Sequence, residues 1–169
     1  ANKGGAIKCN EYSNPTLINV TVSGNIANNG GGLYCNQSSS PNLLNTIFWN
    51  NSPEEIYFSG GSSSNSITIA YSDIQGGQNG IDTNNNGTIN WLNGNIDAEP
   101  QFCYPYNLEF TLAQNSPCVG TGENGANMGA YGIGCDQPVI IIHVPADYPT
   151  IQLGLNNAST NETVLVAPG

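Results

Sequence analysis

Positive charge is almost missing from this chain. Its 169 residues include two lysines, no arginine and one histidine, against twelve aspartates and glutamates, for a formal net charge of −10. Protein contacts to nucleic-acid phosphates are made chiefly by Lys and Arg, so the composition argues against a nucleic-acid-binding protein. It argues equally against attachment to an anionic membrane surface. An acidic polysaccharide would need a bridging cation to bind here.

Long hydrophobic runs are also missing. Uninterrupted apolar runs do not exceed four residues, as at 139–142, whereas a membrane-spanning helix needs about 20. A run of four bounded by turn residues is typical of a β-strand. The sequence therefore predicts no membrane span.

Charged residues of both signs make up 8% of the chain, far below the roughly 25% typical of soluble domains. Its polarity comes instead from Asn, Ser, Thr and Gly, and Asn alone occurs 27 times. Asn and Gly adopt left-handed backbone angles at low cost, so they suit tight turns and not long helices. The composition therefore favours a fold rich in turns.

What the sequence does contain is an internal repeat. Residues 5–10 (GAIKCN) return at 31–36 (GGLYCN), and residues 15–22 (PTLINVTV) return at 41–48 (PNLLNTIF). Each copy has the pattern of short strand, polar turn, short strand and turn, and a looser third copy covers 56–74. A period of this length, from position 5 to position 31, is typical of a solenoid, in which each repeat buries its apolar face against its neighbours.

Short strands at intervals of about ten residues also suit an antiparallel sandwich. Hairpin folds repeat single strands, however, and not whole multi-strand segments with the same residues at the same corners. Three strands in each turn of the repeat match one coil of a parallel β-helix. We predict an all-β solenoid with coils over 1–75, a terminal coil or excursion region over 76–138, and a cap-like strand–short helix–strand segment over 139–169.

Five cysteines are present, and they are Cys9, Cys35, Cys103, Cys118 and Cys135. They contain no C-x2-C pair, and His143 is the only histidine, so their spacing does not match a zinc site. Cys9 and Cys35 occupy equivalent repeat positions, about 4.8 Å apart in stacked strands. Either a disulfide or two adjacent buried thiols fits that distance. Two of the other three cysteines are expected to pair if the compartment is oxidising.

The segment 31–35 and its counterpart 5–9 resemble coils of the right-handed parallel β-helix proteins, the pectin-lyase-like superfamily. Residues 94–102 (GNIDAEPQF), 115–118 (NSPC) and 128–132 (MGAYG) resemble the terminal region of bacterial secreted and surface-anchored members. The resemblance covers nearly the whole chain and implies a secreted or cell-surface location. It leaves the activity open, because the superfamily holds lyases, hydrolases, esterases, adhesins and inert stalks.

Residues 144–152 (VPADYPTIQ), continuing to 169, resemble the opening cap of such a domain. Because this cap follows the closing segment, either a second β-helix begins here or the chain is a piece of a tandem array. Both readings imply solenoid ends with unpaired strand edges, which recruit another chain. The residues expected to add to a neighbour as assembly strands are Val139, Ile140, Ile141, Ile142, Val164, Leu165 and Val166.

Candidates for catalysis are few. In the pectin-lyase-like superfamily, which the chain resembles, hydrolases use clustered aspartates and lyases use Lys or Arg, often with calcium. Asp97 and Glu99 stand two residues apart, so on a strand they would share a face about 6.6 Å apart, within the range of a glycosidase pair. A turn-capping Asp and a solvated Glu is the simpler interpretation. His143 alternates with apolar strand residues, and no G-x-S-x-G motif is present, so we predict no catalytic residue.

Residues 82–88 (DTNNNGT) match the first seven positions of a D-x-[DN]-x-[DN]-G calcium loop. The ligands would be the side-chain oxygens of Asp82, Asn84 and Asn86 and the carbonyl of Thr88. The twelfth position is Asn93, so the usual bidentate carboxylate is missing and bound calcium would be weakly held. An ordinary Asn-rich turn is the alternative interpretation.

These observations predict a non-enzymatic extracellular β-helix module with a structural or adhesive role. Its partners would be copies of itself, joined head to tail in fibres, or neighbouring repeats of a longer chain. The alternative is a carbohydrate-binding or polysaccharide-degrading β-helix domain. For that alternative, Trp49, Tyr57 and Tyr71 would form a sugar-stacking strip on the solenoid wall, unless they pack in the core or at corners.

Overall fold

The computed structural model describes residues 1–136, 140–158 and 162–167. Up to residue 96 the backbone follows a repeating path of short strands, and we call each circuit of this path a coil. The strands of the first two coils are β1 (Ile7–Cys9), β2 (Thr16–Ile18), β3 (Thr21–Ser23), β4 (Leu33–Cys35), β5 (Asn42–Leu44) and β6 (Ile47–Trp49). Those of the third and fourth coils are β7 (Ile56–Phe58), β8 (Asn65–Ala70), β9 (Asp73–Ile74), β10 (Ile81–Asp82) and β11 (Gly87–Trp91).

Strands from successive coils pair side by side in three sheets. The first sheet has the order β1-β4-β7-β10, the second β2-β5-β8-β11 and the third β3-β6-β9. Every pairing in them is parallel. A bridge between Asp73 and Ile96 continues the third sheet into the fourth coil. The prediction of an all-β fold with stacked parallel strands is confirmed, and the arrangement is compatible with a β-helix.

The sequence repeat appears directly in the strand register. Ile7 lies opposite Leu33 and Leu17 opposite Leu43, so the first two coils are offset by one full repeat. Between the second and third coils the offset is shorter in the first sheet, where Leu33 lies opposite Ile56, and returns to the full repeat in the other two. The chain is therefore three residues shorter in the turn before β7 and three residues longer between β7 and the paired part of β8.

The corner between the second and third sheets repeats the same backbone conformation. Asn19, Asn45 and Tyr71 occupy the same place in successive repeats, and their φ angles are 54°, 51° and 48°. Asn tolerates this left-handed region because its short polar side chain bonds locally, whereas Tyr does so at a higher cost. The Asn residues thus account for the tight corner that the composition predicts.

The interior between the sheets is filled by alternate side chains of the strands. In β8, Ile67 and Ile69 are fully buried between half-buried neighbours. The same core contains Leu33, Leu43, Phe48, Ile56, Phe58 and Ile74. Because side chains alternate with a period of two, the inward residues of each coil stack on those of the next.

Residues 78–95, whose Asn/Gly-rich sequence suggests an excursion, instead belong to the coil stack. β10 pairs with β7, and β11 pairs with β8 over five residues. Ile81 is buried, and Ile89 and Trp91 pack against the core. The parallel sheets therefore extend beyond residue 75.

A smaller mixed sheet follows the coils. Its strands are β12 (Phe102–Tyr104), β13 (Glu109–Ala113) and β14 (Ile133–Cys135), and β13 lies between an antiparallel β12 and a parallel β14. We call this the terminal sheet. Its core joins Phe102, Leu112, Cys118 and Met128 to Ile47 of the second coil. The terminal sheet is thus packed on the coils and not separate from them.

The last segment has the predicted order of strand, short helix and strand. β15 (Ile140–Val144) and β16 (Glu162–Val166) pair in parallel, with α1 (Ile151–Asn157) between them along the chain. Thr150 caps α1 by accepting the Leu153 N–H at 3.2 Å. The space around buried Gly154 is bounded by side chains of Val144 and Val164, so the helix packs on the strand pair at this glycine. No helix in the described ranges has the length and apolar character needed to cross a membrane.

Candidate functional site

The first coil is the outermost member of all three parallel sheets among the described residues. β1, β2 and β3 each end the strand order of their sheet. Ile7 and Leu17 are only half-buried, although their register partners Leu33 and Leu43 are 0% and 2% exposed. Apolar positions that are covered in the second coil are therefore covered from one side only in the first.

The open edge of β1 has a defined set of hydrogen-bonding groups. The Ile7 N–H donates to the Gly32 carbonyl at 2.9 Å, and the Cys9 carbonyl accepts from the Asn36 N–H at 3.0 Å. Because these groups alternate along a parallel strand, the backbone N–H and C=O of Lys8 point to the opposite, open edge. That edge can accept a further parallel strand.

The predicted assembly strands are found in β15 and β16, where they pair with each other. Ile142 lies opposite Val164, and the pairing runs from Ile140 to Val144 without a break. Leu165 remains 51% exposed and Val166 44% exposed. Val139 lies outside the described residues. Addition of these strands to a neighbour stays a prediction.

The neighbouring α1 also carries exposed apolar residues. Ile151 and Leu155, one helical turn apart, are 50% and 55% exposed. Together with the side chains on β16 they give the C-terminal segment an apolar surface. Apolar surface of this kind is thus present both in the first coil and in the last described segment.

Cys9 and Cys35 are adjacent buried thiols and not a disulfide. They lie opposite each other in β1 and β4. The hydrogen bond with Cys9, followed by burial, raises the pKa of the Cys35 thiol. Of the two interpretations that the repeat allows, the structure contains the thiol ladder.

The expected disulfide among the last three cysteines joins Cys103 and Cys135. It connects β12 to β14 across the middle strand of the terminal sheet. Cys118 is the unpaired residue, and its thiol donates to Asp73 Oδ2 at 3.2 Å in a fully buried position. This contact links the terminal region to the third coil.

Asp73 is the most perturbed carboxyl group in the described chain. Its side chain is fully buried, and its Oδ1 accepts the Ala98 N–H at 3.2 Å. Removal from water raises the pKa of Asp73 to about 7, because the two donors only partly offset the desolvation, and the charges of Asp97 and Glu99 add to the shift. Burial likewise raises the pKa of Glu55, which bonds to Asn51 in the second-to-third coil turn.

Asp97 and Glu99, the candidate acid pair, have different surroundings. Asp97 Oδ1 accepts the Gly76 N–H at 3.0 Å and so caps a turn, as the simpler interpretation proposes. Glu99 is exposed and lines a groove beside the third sheet. His143 lies in β15, where its Nδ1 is 3.4 Å from Asp147 and its ring contacts Tyr106. That the chain has no catalytic residue stays a prediction.

The calcium-like run forms the turn between β10 and β11. Asp82 Oδ1 accepts the Asn84 N–H at 2.7 Å, and Asn86 Nδ2 donates to the carbonyls of Ser59 and Ser63 at 2.7 and 3.0 Å. Thr88 belongs to β11. Amide donors thus hold this turn to the preceding coil, and no cluster of three or more His, Cys, Asp or Glu side chains suited to a metal occurs in the described part of the chain. Calcium binding stays a prediction.

The three aromatic residues of the expected sugar-stacking strip lie in different places. Trp49 ends β6 and packs beside the core of the terminal sheet. Tyr57 stacks on Tyr34 in the first sheet, with ring centroids 5.7 Å apart. Tyr71 occupies the left-handed corner, and its ring fills the space beside Gly94. They do not form a single strip.

Comparison with known proteins finds no match for this chain among protein-family models, curated proteins or solved structures.

Proposed function

We propose that this chain is a right-handed parallel β-helix module of the pectin-lyase-like kind, from a secreted, cell-surface-associated protein. Its role is structural or adhesive, and it has no catalytic site. It extends end to end by strand addition, either to a second copy or to neighbouring repeats of a longer chain.

The observation that carries this proposal is the incomplete burial of the first coil. Ile7 and Leu17 occupy the positions that are fully covered one coil later, and Ile18 is 53% exposed. Covering apolar surface is worth about 25 cal/mol per Å², and a row of unpaired backbone groups is a template for another strand. A further coil or strand placed on this face would bury the apolar surface and pair the backbone groups.

The charge distribution supports a head-to-tail orientation. Lys3 and Lys8 are the only basic residues other than the histidine, and both lie in the first coil. Glu11 is the single acid before β4, and the other eleven acids follow it. The first coil is therefore weakly positive, and the rest of the chain is strongly acidic. This difference favours contact between the first coil of one copy and the other end of a second copy over contact between two first coils.

The experiment is a measurement of mass against concentration by light scattering, with negative-stain microscopy of the same samples. Wild type is expected to grow into linear particles as concentration rises. Lys8→Pro removes the outward N–H of β1 and keeps the bonds to β4, so it should reduce growth. Lys8→Ala removes the same charge but retains the N–H, and it is the matched control.

The proposal of assembly between copies is wrong if wild type stays monomeric throughout the concentration series. It also fails if Lys8→Pro and Lys8→Ala assemble equally, because strand addition at β1 then plays no part. Circular dichroism of each variant distinguishes lost assembly from lost folding.

A further inference from the structure

The fourth coil is the other end of the coil stack in the part of the chain that the structure describes. β10 and β11 are the last strands of the first and second sheets. Ile89 and Trp91 in β11 are only half-buried, although their register partners Ile67 and Ile69 in β8 are 0% exposed. This end of the stack therefore has the same incomplete cover as the first coil.

The direction of the open edge of β10 follows from the register of the first sheet. Ile7 and Leu33 share one register position, and the N–H of each donates to a carbonyl of the following coil at 2.9 Å. Ile81 holds the same position in the fourth coil, so its backbone N–H and C=O point out of the stack. Lys8 points out of the stack at the opposite end. The two open edges therefore carry backbone groups that can bond to each other.

The second sheet has the same direction. The Ile69 carbonyl accepts the Leu92 N–H at 2.9 Å, so the backbone groups of Ile69 point to the fourth coil. Trp91 lies opposite Ile69, and its backbone groups therefore point out of the stack. At the other end the Asn19 N–H donates to the second coil at 3.1 Å, so the N–H of Ile18 points outward. Both ends thus present matching edges in two sheets at once.

One column of side chains begins with a cation and ends with an anion. In successive coils its members are Lys8, Tyr34, Tyr57 and Asp82. Lys8 and Asp82 are exposed, and the two tyrosine rings between them are stacked. If a further first coil followed the fourth coil in the same register, its Lys8 would lie directly beside Asp82. The charges at the two ends of this column are therefore complementary.

The second sheet supplies apolar matches between the same two coils. One column runs from Leu17 in the first coil to Trp91 in the fourth, and both side chains are half-buried. The neighbouring column begins at Ile18 and reaches Leu92, which follows Trp91 along the chain. Ile18 is 53% exposed and Leu92 is 51% exposed. Stacking a first coil on a fourth coil would remove both pairs from water, as stacking already does within the chain.

We propose that the partner of the first coil is the fourth coil of a second copy, in the register that continues the repeat. Lys8 of one copy lies opposite Asp82 of the other, and Ile18 lies opposite Leu92. The contact joins two different surfaces, so it leaves a free end on each copy and extends into an open fibre. This inference rests on the proposed assembly and specifies the surface and register by which it occurs.

The fourth coil covers the first coil more completely than the C-terminal strands would. β15 and β16 form a sheet of two strands. A two-stranded sheet offers one edge to a neighbour, so it would extend one sheet of the first coil and leave the next uncovered. The fourth coil presents two edges at the spacing of the same fold. The geometry therefore favours coil on coil over addition of β15 or β16.

The test is disulfide trapping between two variants of the full chain that each gain one cysteine. Copies with Ile18→Cys are mixed with copies carrying Leu92→Cys, oxidised with diamide, and separated by non-reducing gel electrophoresis. Opposed residues of neighbouring strands lie about 4.8 Å apart, within reach of a disulfide. The mixture should give covalent dimers, and each variant alone should give at least about tenfold less. The free cysteines that the structure describes are buried and contribute little background.

A register control uses Asn90→Cys, an exposed position two residues before Leu92. In the proposed register Asn90 lies opposite Thr16 and diagonal to Ile18, roughly 8 Å away and beyond disulfide reach. Asn90→Cys should therefore trap dimers with Thr16→Cys and few with Ile18→Cys.

The ion pair is tested by reversing its charges. Lys8→Glu places two acids at each joint and should raise the concentration needed for assembly about fivefold. Adding Asp82→Lys restores opposite charges, and this double variant should assemble within about twofold of wild type. Lys3→Glu combined with Asp82→Lys has the same net charge but does not restore the pair, and it should assemble less well. Circular dichroism of each variant checks folding.

The inference is overturned if wild type assembles but the mixture of Ile18→Cys and Leu92→Cys traps no more dimer than either variant alone. It is equally overturned if Ile18→Cys alone traps dimers, because two first coils then meet. Equal trapping of Asn90→Cys by both partners, or equal assembly of the two charge-matched double variants, also contradicts it. Assembly between copies survives all these outcomes, whereas a wild type that stays monomeric removes both the assembly and this register.

Discussion

The first and second coils have nearly the same sequence pattern but different surroundings. Leu17 and Leu43 lie opposite each other in β2 and β5, yet the first is half-buried and the second is 2% exposed. The second coil has a neighbour on both sides, whereas the first has one among the described residues. In a stacked fold, the stability that a residue contributes is thus decided by the next coil as much as by its own.

Polar groups show the same difference. Asn51 is buried and bonds to four other residues, while its equivalent Asn25 in the first coil is half-buried. Equivalent positions of the repeat therefore hold the same type of residue but differ in burial.

The largest effect is expected from truncation of the two paired leucines. Leu43→Ala should lower the free energy of unfolding by about 2–5 kcal/mol, because it leaves a cavity in a fully packed core. Leu17→Ala should cost less than about half as much, since part of that side chain already meets water. Urea denaturation of both variants measures the difference. Equal losses would mean that the first coil is covered in solution.

Asp73 occupies the register position that Thr21 and Ile47 hold in the first two coils. Because its carboxyl group is buried, we expect the free energy of unfolding to depend on pH. The folded pKa of Asp73, about 7, lies above its ordinary value. Between about pH 4 and 7 the unfolded state loses this proton first, so stability is full below pH 4 and falls as pH rises to 7. The loss reaches at most about 4 kcal/mol, at roughly 1.4 kcal/mol per pH unit.

The control for this pH dependence is Asp73→Asn, which cannot ionise. Its stability should fall less than that of wild type between pH 4 and 7, as measured by urea denaturation at matched ionic strength. Identical pH profiles would show that Asp73 is solvated in the folded protein.

The two cysteine pairs differ between the coils and the terminal sheet. Cys103 and Cys135 form a disulfide in the terminal sheet, whereas Cys9 and Cys35 are free thiols in the coils. Cys103–Cys135 closes a loop with a sequence separation of 32 residues, so reduction or the double Ser variant should cost about 2–4 kcal/mol. Reductant should leave the double Ser variant unaffected, because Cys9 and Cys35 are already thiols. Thermal melts with and without dithiothreitol measure this. A reductant effect that persists in the double variant would place a second disulfide in the chain.

The smallest effect is expected at the paired asparagines. The Asn51 amide donates to the Val22 carbonyl at 2.8 Å and to Glu55 Oε2 at 2.5 Å, and its Oδ1 accepts from the Asn25 N–H at 2.9 Å. Asn51→Ala should cost about 1–3 kcal/mol, since it leaves buried groups unpaired. Asn25→Ala should cost about 1 kcal/mol or less, because the backbone N–H of residue 25 would still donate to Asn51 Oδ1. A larger loss for Asn25→Ala in urea denaturation would contradict the ranking.

The sequence predicts the parts of the fold that depend on the repeat. Equivalent residues of successive repeats are expected in register, and Cys9 opposite Cys35 follows from that rule. The left-handed corner at Asn19 and Asn45 follows from the same spacing and from the ordinary behaviour of Asn. Local periodicity carries this information because each coil contacts only its neighbours.

The fourth coil cannot be recognised in this way. Ile81 lies opposite Ile56 and Ile89 opposite Ile67, so the two sheets have different offsets from the third coil, both shorter than the repeat. Strand pairing requires inward apolar residues in phase with the sheet and not a constant turn length. The Asn-rich run at 82–88 therefore resembles an excursion, although it connects β10 and β11 of the fourth coil.

The groove beside the third sheet and the Asp73–Cys118 contact are also beyond sequence reasoning. Cys118 lies 45 residues from Asp73, and the groove depends on how the chain after β12 folds against the third sheet. Neither distance is set by a repeat. The spacing of Ser23, Trp49 and Gln75 is the signal available, because it places three side chains of successive repeats in one column.

The compensating turns of the third coil carry a consequence for variation in this architecture. One corner lost three residues and the next gained three, and the second and third sheets kept their phase. Corners can thus change length while the walls keep their alignment. New surface loops would be grafted most safely at the corner after β7, where the third coil already holds three additional residues.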